Sequence, residues 1–257
     1  MAKPLRLRSA AFASLLHLLV SALIAILCFA LVYGLWYQFP YSELAGGAHL
    51  FALIVLVDVV CGPLLTFLIF NPAKPRKELR FDLGVIFFLQ LCALSYGLFS
   101  IAQARPVFLA FEGDQFRVVS LPDVQISAIQ SASKDMQKFS FSGPKLIGTK
   151  LLSPSDADFL SSIRLALDGL PPAFRPSRWV EFDTQVSQVI AKSKKISELL
   201  LKYPGQRDLI KSAVAYTGVS EDQLGYLPLS SGNRNDWIVL VSVEDGRPRS
   251  YLPLDGW

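Results

Sequence analysis

Three long runs in the first 104 residues are nearly free of charge, and this constrains the chain more than any motif does. Residues 11–39 and 83–104 contain no Asp, Glu, Lys or Arg, and residues 48–70 contain only Asp58, beside the lone His49. About 20 apolar helical residues span a hydrocarbon core of roughly 30 Å, so each run is long enough to cross a bilayer. Three helices buried in a large soluble core would still need polar faces toward water, and these runs have none. We therefore expect a domain over 1–104 with three transmembrane helices, at about 12–37, 48–70 and 83–104.

The first run is too long for the 7–15-residue core of a cleaved signal peptide, although Lys3, Arg6 and Arg8 form a suitable basic start. Leu27 stands before Cys28 where a lipoprotein signal would place a small residue, so the expectation is a retained anchor. Lys3, Arg6 and Arg8 precede the first span, and Lys74, Arg76, Lys77 and Arg80 fill the short connection between the second and third. The connection between the first and second spans carries Glu43 and no base. Short basic loops stay cytoplasmic, which puts the N-terminus inside and everything after Arg105 across the membrane. Residues 105–257 hold 18 basic and 17 acidic groups, a near-neutral balance that argues against a nucleic-acid surface. All three cysteines, Cys28, Cys61 and Cys92, fall within the spans, so the exported part uses no disulfide.

Residues 105–257 change character and read as an α+β domain with an antiparallel sheet. The sequence RPVFLAFEGDQFRVVSL is a hairpin around Gly113-Asp114, and PKLIGTKL is a further short strand. SPSDADFLSSIRLALDG is a helix with Phe159, Ile163, Leu167 and Leu170 near one face. FDTQVSQVIAKSKKISELLLKYPG reads as one helix whose Lys192, Lys194 and Lys195 form a solvated face, and QRDLIKSAVAYTG as a shorter one. The tail gives two strands across an Asp245-Gly246 turn, and Phe108, Phe111 and Phe116 read as core.

Catalytic constellations are scarce. The S-x-x-K spacing of Ser131 and Lys134 lacks its companion motifs, and the exported part has no histidine for a Ser-His-Asp triad. With His17 and His49 both in or beside the spans, a zinc site is not expected there either. An intramembrane aspartyl protease needs two acids sharing one site, whereas Asp58 is the one acid at depth. No catalytic residue, metal or cofactor is assigned.

Asp58 needs another account, because a charge at mid-span costs about 2.5–3.5 kcal/mol on insertion scales. A neutral acid donating a hydrogen bond inside the bundle avoids that cost. Pro63 has no N–H, so the helical partner of the Val59 carbonyl is lost, at a kink eased by Gly62. Ser21 on the first span and Gln90, Cys92 and Ser95 on the third lie near the same depth. Two readings stay open: Asp58, Gly62, Pro63, Ser21, Gln90 and Ser95 form a polar cluster that fixes helix packing, or a kinked polar face that receives another membrane helix.

VDVVCGPLLTFLIFNP, a basic loop, and LRFDLGVIFFLQLCALSYGLFSIAQARPVFLAFEGDQFRVV closely resemble the type IV pilin accessory proteins of the TfpX/TfpZ family, related to the fimbrial assembly protein FimB. The resemblance includes His17 and Trp36-Tyr37, reaches Gly256-Trp257, and weakens between about 120 and 220. Asp58, Gly62, Pro63, Phe81 and Asp82 match the family pattern, while Cys61 stands where an apolar residue is expected. The resemblance implies a non-enzymatic inner-membrane protein of a Gram-negative bacterium that helps its cognate major pilin to become stable or assembled. A membrane-anchored periplasmic sensor with a ligand pocket in the exported domain is the alternative. The short cytoplasmic segments count against it.

Overall fold

The computed structural model describes residues 3–232 and 234–257, which divide into two units, Met1–Arg105 and Pro106–Trp257. In the first unit, α1 (Lys3–Leu31) runs directly into a π turn, Val32–Trp36, followed by a short helix α2 (Tyr41–Leu44). The second run is α3 (Gly47–Leu56), a second π turn (Val57–Cys61) and α4 (Gly62–Ile69), and the third is α5 (Arg76–Gln103). Three helical stretches, Arg6–Trp36, Phe51–Ile69 and Arg76–Gln103, are long and apolar enough to cross a membrane. Their outward surface is hydrocarbon: Phe12, Leu19, Leu68, Phe87, Phe88 and Phe99 are all more than half exposed. Such a surface is stable in lipid and not in water.

The bundle is tied at both ends. At one, Phe29 stacks on Tyr33 (4.5 Å between centroids), Tyr33 meets Phe51 edge-on (5.7 Å), and buried Tyr37 donates its hydroxyl to the Ile101 carbonyl at 3.1 Å. At the other, Lys74 in the basic loop pairs with Asp82 of α5 at 2.7 Å. The loop itself turns on Asn71, whose side chain accepts the Ala73 N–H.

The second unit is a sheet flanked by helices, and the sheet is mixed rather than antiparallel. The strands are β1 (Pro106–Glu112), β2 (Gln115–Ser120), β3 (Lys145–Thr149), β4 (Trp179–Val180), β5 (Lys194–Lys195), β6 (Leu224–Ser231), β7 (Arg234–Ser242) and β8 (Pro248–Leu252), ordered β4-β3-β1-β2-β6-β7-β8. The β1–β2 hairpin turns at Gly113, whose φ of +75° suits glycine. However, β1–β3 and β2–β6 are both parallel. Parallel neighbours need crossover connections, and residues 121–144 and the helical 182–223 stretch supply them.

Two expected helices differ from their reading. The single helix across Lys192–Lys195 breaks into α7 (Val186–Lys192), β5 and α8 (Ile196–Lys202). β5 pairs with β6 at Gly225 and Tyr226, and a side chain at Gly225 would strike Ser193, so the missing Cβ is what admits this strand. Lys194 is accordingly no solvated helix position: its Nζ donates to the Gly256 carbonyl at 2.9 Å. α6 (Phe159–Leu167) forms within the expected stretch but starts later, since residues 154–158 make turns, and Ile163 and Leu167 point outward with Leu160, while Phe159, Ser162 and Ala166 face in. The helix α9 (Arg207–Thr217) ends on left-handed Gly218.

The sheet is covered on both faces. On one face Phe108, Val119, Met136, Ile147 and Trp179 fill one core and Ile196, Leu199, Ile210, Tyr226 and Leu240 another, while the register turns the buried Phe111, Phe116, Leu229, Trp237 and Val239 to the opposite face. Phe108, Phe111 and Phe116 are fully buried. The terminal residues 254–257 lie over β6, where Gly256 approaches the Pro228 backbone closer than any Cβ would allow.

Candidate intramembrane site

The kink chemistry around Pro63 differs from the simple helical expectation by one residue. In a π turn each carbonyl is paired five residues ahead, not four. That spacing assigns the Asp58 carbonyl to the Pro63 nitrogen, which carries no hydrogen. The orphaned acceptor is therefore the backbone oxygen of Asp58, and the Gln90 side-chain amide of α5 donates to it at 3.0 Å. Gly62 makes this possible, since a Cβ there would collide with the Gln90 amide. Asp58, Gly62, Pro63 and Gln90 thus form one local device: proline removes a donor, glycine opens a slot, and a side chain from another helix supplies the replacement.

Polar contacts between α1 and α4 continue this seam. Ser14 donates to the Pro63 carbonyl at 2.8 Å, and His17 Nδ1 lies 2.6 Å from the Thr66 hydroxyl, with Thr66 buried. Sequence reading assigned no role to Ser14 and Thr66. The signal was available, because Ser14, His17 and Ser21 recur at i, i+3 and i+7 and so share one face of α1.

Between the three long helices lies a largely apolar groove of about 390 Å³, walled by residues such as Leu16, Val20, Phe87 and Leu94. Ser21, Asp58 and Gln90 line it together with His17 and Thr66. Gly62 and Pro63 are buried behind it, and Ser95 lies on the exposed surface of α5, away from the other residues expected at its depth. A second groove of about 300 Å³, between α3 and α5, also reaches Asp58. Among the described residues, the Asp58 carboxyl group has no hydrogen-bond partner, so the internal bond expected of a neutral acid is not made. The His49 side chain lies outside the described residues. No group of three or more His, Cys, Asp or Glu that could hold a metal comes together among the described residues. Ser131 donates its hydroxyl to the Ala128 carbonyl.

If the Gln90 cap matters, Gly62→Ala should lower the thermal stability of the detergent-solubilised chain, by about 1–3 kcal/mol for an unsatisfied buried carbonyl. Adding Gln90→Ala to that variant should cost little more, because the amide has already been expelled. Additive losses in this double-mutant cycle would show that the two residues act separately.

Residues 5–46 match the family model described as "Fimbrial assembly protein FimB". The serogroup I fimbrial assembly protein of Dichelobacter nodosus is 32% identical over 227 residues, 88% of each chain. The serogroup E1 protein of the same organism is 31% identical over the same share. A shorter relative from serogroups C1 and C2 is 43% identical over 117 residues, which is 46% of this chain and 89% of that protein. No solved structure matches. With such identity along nearly the full length of both chains, this protein belongs to the FimB family of fimbrial assembly proteins.

Proposed function

We propose that this chain is an inner-membrane accessory protein that binds its cognate type IV major pilin before assembly and keeps it stable. The observation that carries this reading is the groove: an apolar cleft of about 390 Å³ between the three long helices with an acid in its lining, in a member of a fimbrial assembly family. Unassembled pilins, as the family resemblance implies, wait in the membrane as one hydrophobic helix bearing a globular head. The three long helices would take the pilin helix, and the 106–257 unit would read the head. Binding both halves raises the effective concentration of each contact, so neither need be tight alone. The basic residues Arg6 and Arg8 and the Lys74–Arg80 cluster support a cytoplasmic N-terminus and a periplasmic second unit.

The test is pilin lifetime. Expressed in a host without other pilus proteins, the cognate pilin should decay several-fold more slowly when this chain is present, and should co-purify with it. An unchanged half-life with no co-purification would contradict the reading.

A further inference from the structure

We infer that the occupant of the 390 Å³ groove is a transmembrane helix that brings a hydrogen-bonding side chain to mid-membrane depth, where it pairs with Asp58. This deepens the pilin-helix reading and rests on it for the identity of the partner.

Hydrogen-bond donors are scarce around the groove. Asp58 and Ser21 both line the groove, and neither side chain has a hydrogen-bond partner among the described residues. Ser21 is only 8% exposed, so little solvent or headgroup can reach it. The neighbouring donors are already committed. The Gln90 amide nitrogen caps the Asp58 backbone carbonyl, turning it toward the carboxyl group would leave that carbonyl bare, and the Gln90 Oε1 is itself buried without a partner. His17 is engaged with Thr66. In hydrocarbon no bulk water replaces a missing partner, so an unpaired polar group in that medium is strongly penalised. An acyl chain fits the apolar walls but offers nothing to the floor. A purely apolar helix has the same defect. A helix with an amide, hydroxyl or amine at the matching level satisfies both the walls and the floor, and this favours a polar helix over lipid.

The consequence is selectivity. Apolar walls alone would accept almost any membrane helix, while the Asp58 floor distinguishes one with a polar residue at the right depth. Interhelical hydrogen bonds in membranes are modest, so the expected preference is about 3- to 10-fold.

The experiment uses the full chain in lipid vesicles with dye-labelled synthetic transmembrane peptides of leucine and alanine, carrying either one central Asn or none. Energy transfer should show the Asn peptide binding about 3- to 10-fold tighter than the all-apolar one. Asp58→Leu should abolish that preference. Asp58→Asn, which still hydrogen-bonds, should retain it and so controls for misfolding. Equal binding of both peptides to the native chain would overturn the proposal, as would a preference that survives in Asp58→Leu. Self-association of the chain that depends on Asp58 would assign the groove to a second copy and would also overturn it. Purified cognate pilin forms a separate arm. Pilin captured without any peptide preference would sink this inference and leave the pilin reading standing. A clear Asn preference with no capture of pilin would do the reverse.

Discussion

Replacing Phe108 by alanine should lower the unfolding temperature of the Pro106–Trp257 unit by roughly 10 °C. Phe108 is fully buried at the centre of the core formed by β1, β3 and residues 119–136. Its ring lies 4.5 Å from Trp179 and 5.9 Å from Phe139, centroid to centroid. Removing it takes away about 3–5 kcal/mol through lost burial and the cavity left behind. A domain of this size holds only about 5–15 kcal/mol in all, so roughly a fifth of its stability or more is at stake. Tryptophan fluorescence of the detergent-solubilised chain, to which Trp179, Trp237 and Trp257 contribute from this unit and Trp36 from the other, reads the transition. A shift below about 2 °C would mean that the core repacks around the gap or that Phe108 is not central to it.

The second large effect belongs to Glu112. Its carboxylate is buried, accepts from Arg117 Nε at 2.6 Å and from the Ala173 N–H at 3.1 Å, and so bolts the end of β1 to β2 and to the 172–178 segment. Buried Arg175 sits in the same neighbourhood: burial and then Arg178 pull its guanidinium down from its ordinary value, and Glu112 opposes them. Glu112→Ala would strand the Ala173 N–H and remove the counter-charge of two arginines, a loss of about 3–5 kcal/mol for a broken buried pair. The lower end of that range is expected, because the Arg117 side chain keeps 19% of its exposure and can turn toward solvent. Glu112→Gln keeps an acceptor for Ala173 and should cost about half as much. Asp245→Ala, which breaks the more exposed Arg249 pair at 2.7 Å, should change stability by less than about 1 kcal/mol. Urea melts of the three variants check the order, and equal losses at Glu112 and Asp245 would contradict it.

Those buried interactions show where sequence was informative and where it was not. The three spans were legible because a charge-free run of that length has few alternatives, and the β1–β2 hairpin because Gly113-Asp114 sits between two β-rich segments. The parallel pairings were not, since nothing local in PKLIGTKL says that it will cross over and lie beside β1 in the same direction. β6 went unread because Pro228 and Gly225 interrupt a strand pattern that the β7 ladder nevertheless sustains from Leu224 to Leu229. The Lys192–Lys195 stretch misled for a related reason: a helical pattern was overridden by long-range pairing through the space at Gly225. α6 turned its leucines outward because Ser162 is held by buried Arg175 at 2.7 Å, which fixes the inward face.

At the intramembrane site, residue types were readable but their partners were not. Gly62-Pro63 announced a break, yet only the π turn decides that the Asp58 carbonyl, and not that of Val59, needs a donor. Depth counting brought Gln90 and Ser21 to the right level but could not tell that Ser95, one and a half turns from Gln90, faces away.

The groove beside Asp58 is the proposed seat of the pilin helix. A photo-crosslinking amino acid placed in turn at Leu16, which lines that groove, and at Leu89, which faces outward from α5, tests it most directly. In cells making the cognate pilin, the account predicts a covalent pilin adduct from position 16 and little from position 89. Equal yields at the two positions, or an adduct only at 89, would contradict it.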